Sequence, residues 1–219
     1  MIFNEDQLRF LLEFYNHCSN TTPENEEMSG SWCQSYFTYE VLHGLILGRD
    51  RYEEHPWPYW LEGRLKYRTH GPIRKHIQVK KDTFNLLNNG LKEATGNLLL
   101  CEIGYGVDLV IAMMTRKWDV VKSYDHNPYM KSGLEKFFVE RHGVNLSFKC
   151  SPSNYYRFDE ITEPTIVISN FCHISVDVKA KEIKENDNII YIRNGELVDK
   201  STIPLELAEF RKVFGRGYL

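Results

Sequence analysis

The chain has 219 residues, enough for one domain or for a domain with an appended segment, and enough to bury a core without metals or disulfides. Hydrophobic residues make up 42% and charged residues 26%, which excludes intrinsic disorder, a collagen-like repeat and a disulfide-stapled miniprotein. With 27 Lys and Arg against 30 Asp and Glu, the net charge of −3 provides no global attraction to nucleic acid or acidic membranes.

The amino terminus carries Glu5 and Asp6 where a secretory signal would carry cations, and no long apolar run follows. Apolar runs such as Leu98 to Cys101 are far short of the roughly 18 residues that span a bilayer. The five cysteines (Cys18, Cys33, Cys101, Cys150, Cys172) are odd in number and contain no CxxC pair, so zinc-ligand spacing is absent and reduced thiols are expected. These features together predict a cytoplasmic protein with no metal site and no membrane partner, in which the sequons at Asn20 and Asn145 are incidental.

Residues 1–95 read as a helical amino-terminal segment, a lid or acceptor-binding element. Phe3, Leu8, Leu11, Leu12 and Tyr15 form one amphipathic face, and Ser19 to Ser31 reads as a polar loop. A second helix carries Tyr36, Tyr39, Val41, Leu42, Leu45 and Ile46 and stops near Gly48; Pro56 and Pro58 interrupt the pattern around Trp57. After Gly71-Pro72 a third helix runs from about Ile73 to Ala94.

Residues 96–219 change texture. Leu98–Ile103, Val120–Tyr124, Leu146–Cys150, Thr165–Ser169 and Asn188–Ile192 have strand length and bounding turn residues, with helices expected over 108–117, 128–141 and 175–184. This alternation predicts an α/β fold, a Rossmann-like mostly parallel sheet flanked by helices. Only 27 residues follow Ile192, with one helix expected over Pro204–Phe214. The sheet therefore either stops after strand five or gains a small hairpin at Glu196–Val198 across Asn194-Gly195.

The first strand runs into Gly104-Tyr-Gly106 and then a helix. Glycines there let the backbone approach a ligand, and a helix start supplies free N–H groups. Asp125 closes the second strand 19 residues beyond Gly106, near the spacing of roughly 20 at which an acid meets ribose hydroxyls. A dinucleotide fingerprint would place a third glycine at 109, where Leu109 stands. A tight strand–helix turn without a ligand is the plainer alternative.

The run Cys101-Glu-Ile-Gly-Tyr-Gly106 resembles motif I of the class I S-adenosylmethionine-dependent methyltransferases. Tyr124-Asp125-His-Asn-Pro-Tyr-Met130 looks like that family's second motif, and Ile166-Val-Ile-Ser-Asn-Phe-Cys-His173 is similar to its strand-four motif. The resemblance covers roughly residues 96–193. It implies an S-adenosylmethionine-binding domain over 96–219, with Glu102, Gly104, Tyr105, Gly106, Asp125, His126, Ser151 and Asn170 at the cofactor. The position of His173 just past strand four, where an open sheet presents its ligand crevice, offers a base to take the acceptor's proton. Two departures stand out. Asp108 occupies the usual third-glycine position, where it is expected to act as a helix N-cap, and Cys150-Ser-Pro-Ser-Asn154 offers only hydroxyls and an amide where the family often has an acid near adenine.

From Gly63 to Lys81 the chain has seven cations (Arg64, Lys66, Arg68, Arg74, Lys75, Lys80, Lys81) and no acid. The run suggests an anionic partner, a small and phosphorylated acceptor being favoured over nucleic acid, or else a solvated helix face. Trp57, Tyr59, Trp60 and Tyr67 beside it either stack on a ligand or belong to the helical core. His173 reads equally as a structural histidine, and Cys172 as packing. The expected activity is methyl transfer. Alternatives are another group transfer or cleavage using the same cofactor, nucleic-acid methylation, and a non-catalytic Rossmann-like scaffold.

Overall fold

A computed structural model describes residues 3–21, 41–47, 73–101, 103, 106–125, 129–150, 157–170, 179–205 and 209. Of the expected helix over Pro204–Phe214 only Pro204, Leu205 and Glu209 are described, and the Trp57 to Tyr67 aromatics and Arg64, Lys66 and Arg68 of the basic run lie outside the described residues.

Helix α1 (Glu5–Thr21) opens with a reciprocal cap. The Gln7 N–H donates to the Asn4 side-chain oxygen and the Asn4 N–H to the Gln7 side-chain oxygen, each at 2.9 Å. Its buried face is Phe3, Leu11 and Phe14, with Leu8 and Phe10 half-buried, whereas Leu12 is 47% exposed. The expected stripe was thus rotated: Phe14, not Leu12, follows Leu11 inward. The helix also continues two residues past Ser19, into the stretch read as loop. Helix α2 (41–47) buries Val41, Leu42 and Leu45 in the same core.

Helix α3 (Ile73–Asn85) continues as a π-turn over Leu86–Gly90, and Gly90 stops it short of Ala94. Strands β1 (Asn97–Cys101), β2 (Val120–Asp125), β3 (Leu146–Cys150), β4 (Thr165–Ile168) and β5 (Ile189–Arg193) are mutually parallel. Strand β6 (Glu196–Leu197) is antiparallel to β5, and the six-stranded order is β3-β2-β1-β4-β5-β6. The hairpin expected across Asn194-Gly195 forms, with both residues left-handed at φ 50° and 83°, the two-residue turn such a pair favours.

Between strands lie α4 (Val107–Met113), α5 (Tyr129–Leu134) with a π-turn over Glu135–Arg141, and α6 (Ala180–Glu185). Helix α4 ends before the expected 117. The Ala112 carbonyl accepts the Thr115 hydroxyl at 2.7 Å and the Trp118 indole N–H at 3.0 Å, closing the helix end with side chains.

Strand alternation sends Leu98, Leu100, Val121, Phe148, Ile166, Ile168 and Ile192 to one face of the sheet, where they share a core with α1 to α5. Phe14 meets Phe137 and Phe138 edge-on or tilted, at 5.0 and 5.4 Å between ring centres. The described helices that precede the sheet, α1, α2 and α3, thus pack into the sheet's main core. On the other face Leu99, Cys101, Val167, Ile189 and Tyr191 pack with Phe158, Ala180, Ile183 and Ile203 in a smaller cluster. Among the described residues no helix is long and apolar enough to cross a membrane.

Candidate functional site

In an open parallel sheet, ligands bind outside the carboxyl ends of the strands, where the strand order reverses. In this order the reversal falls between β1 and β4, because the chain proceeds outward from β1 to β2 and β3 and then returns to β4. The residues after β1, β2, β4 and β5 therefore frame the candidate site.

After β1 the chain turns sharply. The Gly106 N–H donates to the Ile103 carbonyl at 2.9 Å, and the Gly106 carbonyl accepts the Val110 N–H at 2.9 Å. Gly106 is the N-cap of α4 with φ 85°, a left-handed conformation that favours glycine. A Cβ there would lie 2.4 Å from Cδ2 of Leu134 and 3.4 Å from the Phe14 ring. This glycine is thus required both by its backbone angle and by the close approach of α1 and α5.

Asp125 ends β2 on the same sheet face as Val121 and is 3% exposed.

Asp108 is not the N-cap expected of it, since Gly106 takes that position and Asp108 lies inside the first turn, buried. Its Oδ2 accepts from the Lys80 ammonium of α3 at 2.6 Å, and its Oδ1 from the Asn170 amide at 2.8 Å. The same Asn170 nitrogen donates to the Thr83 hydroxyl at 2.9 Å, and its carbonyl oxygen accepts the Gly195 N–H at 3.0 Å. Lys80, Thr83, Asp108, Asn170 and the β5–β6 turn thus form one buried polar clasp joining α3 to the carboxyl ends of β1, β4 and β5. The basic run predicts an anion-attracting Lys80; the structure commits its charge inward, to Asp108. The clue lay in the helical spacing, since Lys80 falls on the buried stripe of Ile77, Phe84 and Leu87. Thr83 gave no comparable signal.

His76, buried one turn before Lys80, has its pKa pushed down to about 3, by burial first and then by the Lys80 and Lys75 charges. It therefore stays neutral beside Lys80. On the other sheet face the Ser169 hydroxyl lies 2.5 Å from the Tyr191 hydroxyl, which also accepts from Arg193 at 3.2 Å. This second buried polar chain, at the ends of β4 and β5, was not anticipated from the sequence. Burial raises the Tyr124 phenol above its ordinary range, with Cys101 and Glu160 adding to the effect.

Of the expected site residues, Gly106, Asp125 and Asn170 stand at the carboxyl ends of β1, β2 and β4. Glu102, Gly104, Tyr105, His126, Ser151 and His173 lie outside the described residues. No group of three or more His, Cys, Asp or Glu among the described residues is placed to hold a metal ion. Comparison of the chain with protein-family models, curated proteins and solved structures finds no match.

Proposed function

We propose that this protein binds S-adenosylmethionine at the carboxyl ends of β1 and β2 and transfers its methyl group to a small, anionic acceptor. The observation that carries the reading is the pairing of a closed, left-handed Gly106 turn after β1 with a buried Asp125 ending β2, beside the β1/β4 reversal. Asp125 would accept hydroxyls of the cofactor ribose, and the turn preceding Gly106 would let the backbone approach the cofactor closely. The motif resemblance of 101–106, 124–130 and 166–173 selects this cofactor over a dinucleotide, as does Leu109 in place of a third glycine.

The chemistry asked of the chain is modest. The methyl carbon is activated by the positive sulfur to which it is attached, so an in-line displacement needs mainly that the acceptor be held at the correct distance and angle. His173 is the residue assigned to take the acceptor's proton. The inward commitment of Lys80 leaves fewer cations in the basic run for a polyanion, which favours a small acceptor over nucleic acid.

A scaffold without catalysis is the second reading, and one observation favours it: the amide and carbonyl of Asn170 are both engaged within the clasp. Titration calorimetry with S-adenosylmethionine, and separately with NAD, tests both. The methyltransferase reading expects saturable binding of the first alone. Binding of NAD instead would assign a dinucleotide enzyme, and binding of neither would assign the scaffold.

A further inference from the structure

Parallel sheets are ordinarily covered on both faces. Here the face bearing Leu99 and Tyr124 is covered by the smaller cluster over β4 and β5, but over β2 and β3 the residues on that face, Lys122, Ser147 and Lys149, are exposed. The result is a trough of about 380 Å³ along the sheet. That volume is within the range of small-molecule sites, roughly 300–1,000 Å³. Ile161 walls one side, on a strap pinned to the strand ends by the Asn97 amide, which donates to the Pro164 carbonyl at 3.2 Å and to the Glu163 carboxylate at 3.3 Å.

Charge along the trough is graded. Glu163 lies at the amino ends of the strands, level with Asn97. Lys122 is in register with Leu99, and Lys149 pairs with Tyr124, itself opposite Cys101. At about 3.3 Å per residue, Lys149 lies roughly 13 Å further along the strands than Asn97. Arg157 is already paired with Asp159 and Glu160 at 3.2 and 3.4 Å. Among the described residues Lys122 and Lys149 make no ion pair, and the Lys149 ammonium lies 5.9 Å from the centre of the Tyr124 ring.

We infer that this trough is a binding site for a small phosphate monoester carrying a flat apolar ring, separate from the strand-end site. Two unpaired ammonium groups match the charge of a phosphate monoester, between about −1.5 and −2 at neutral pH, better than they match a single carboxylate. Val120 and Ile161, both half-buried, provide apolar surface for the ring, and Ser147 offers a hydroxyl to a phosphate oxygen. Glu163 repels the phosphate from the amino end and so fixes which way round the ligand lies. The inference is independent of the cofactor reading, because the trough and Asp125 are on opposite sheet faces.

The test is an NMR titration of the ¹⁵N-labelled full chain with phenyl phosphate, with inorganic phosphate and phenol titrated separately. Phenyl phosphate is expected to shift the amides of 122–124 and 147–149 saturably and to bind more tightly than either part alone. The double variant Lys122→Gln/Lys149→Gln, whose lysines are exposed and whose melting should match wild type, is expected to weaken it at least about tenfold. Asp125→Ala should leave it unchanged. Absence of saturable shifts, shifts confined to residues after the strand ends, or equal affinity in the double variant would overturn the assignment. Failure of S-adenosylmethionine to bind would not alter this result.

Discussion

The ammonium of Lys80 lies 2.6 Å from Oδ2 of Asp108, and the two side chains are 8% and 9% exposed. A buried pair of this kind seldom adds much over a well-packed apolar pair, but removing one partner strands the other's charge. Lys80→Met should therefore destabilise the protein by about 3–5 kcal/mol. Lys80→Met combined with Asp108→Asn should cost less than Lys80→Met alone, since no charge is then left unpaired. Denaturant unfolding of the single and double variants measures this, and additive losses would mean the two residues act independently.

Gly106 carries two constraints that a variant series can separate. Gly106→Ala should cost about 2 kcal/mol or more, from the left-handed backbone (roughly 1–2 kcal/mol) and from the Leu134 methyl 2.4 Å from the new Cβ. In a Leu134→Ala background the penalty should shrink to the backbone part. Thermal unfolding of the four proteins checks it, and an equal penalty in both backgrounds would remove Leu134 from the account.

His76 makes stability depend on pH. Its pKa in the folded protein is about 3, against 6.5 ordinarily, so below 6.5 the unfolded chain takes up a proton that the folded protein does not. Its contribution is complete above pH 6.5 and declines as pH falls from there towards 3, with a limiting slope of about 1.4 kcal/mol per pH unit. Between pH 7 and 5 the wild type should lose on the order of 2 kcal/mol more than His76→Phe, read from denaturant midpoints at the two pH values. Identical pH dependence in the two proteins would show that His76 protonates freely in the fold.

The strands were legible because five short apolar runs with turn residues between them have few other solutions, and the β5–β6 hairpin because Asn194-Gly195 supplies two left-handed residues. Helix ends were less so. Trp118 and Thr115 close α4 through Ala112, a tertiary arrangement that local periodicity does not encode. Rotation of the α1 face onto Phe14 likewise depends on Phe137 and Phe138, more than a hundred residues away in sequence. At the strand ends, Gly106 and Asp125 could be placed from spacing. The clasp could not, since it joins Lys80, Asp108, Asn170 and Gly195 from four separate parts of the chain, and the Asp108 role read from helix-capping preference gave way to a long-range ion pair.

The central claim is that Asp125, behind the Gly106 turn, holds S-adenosylmethionine. Calorimetric titration of that cofactor into wild type and Asp125→Ala, with folding of the variant verified by its melting curve, tests it directly. The account predicts saturable binding to wild type and a loss of about 1–3 kcal/mol in the variant, the cost of leaving cofactor hydroxyls without their acceptor. Equal affinity in the two proteins, or no binding to wild type, would contradict it.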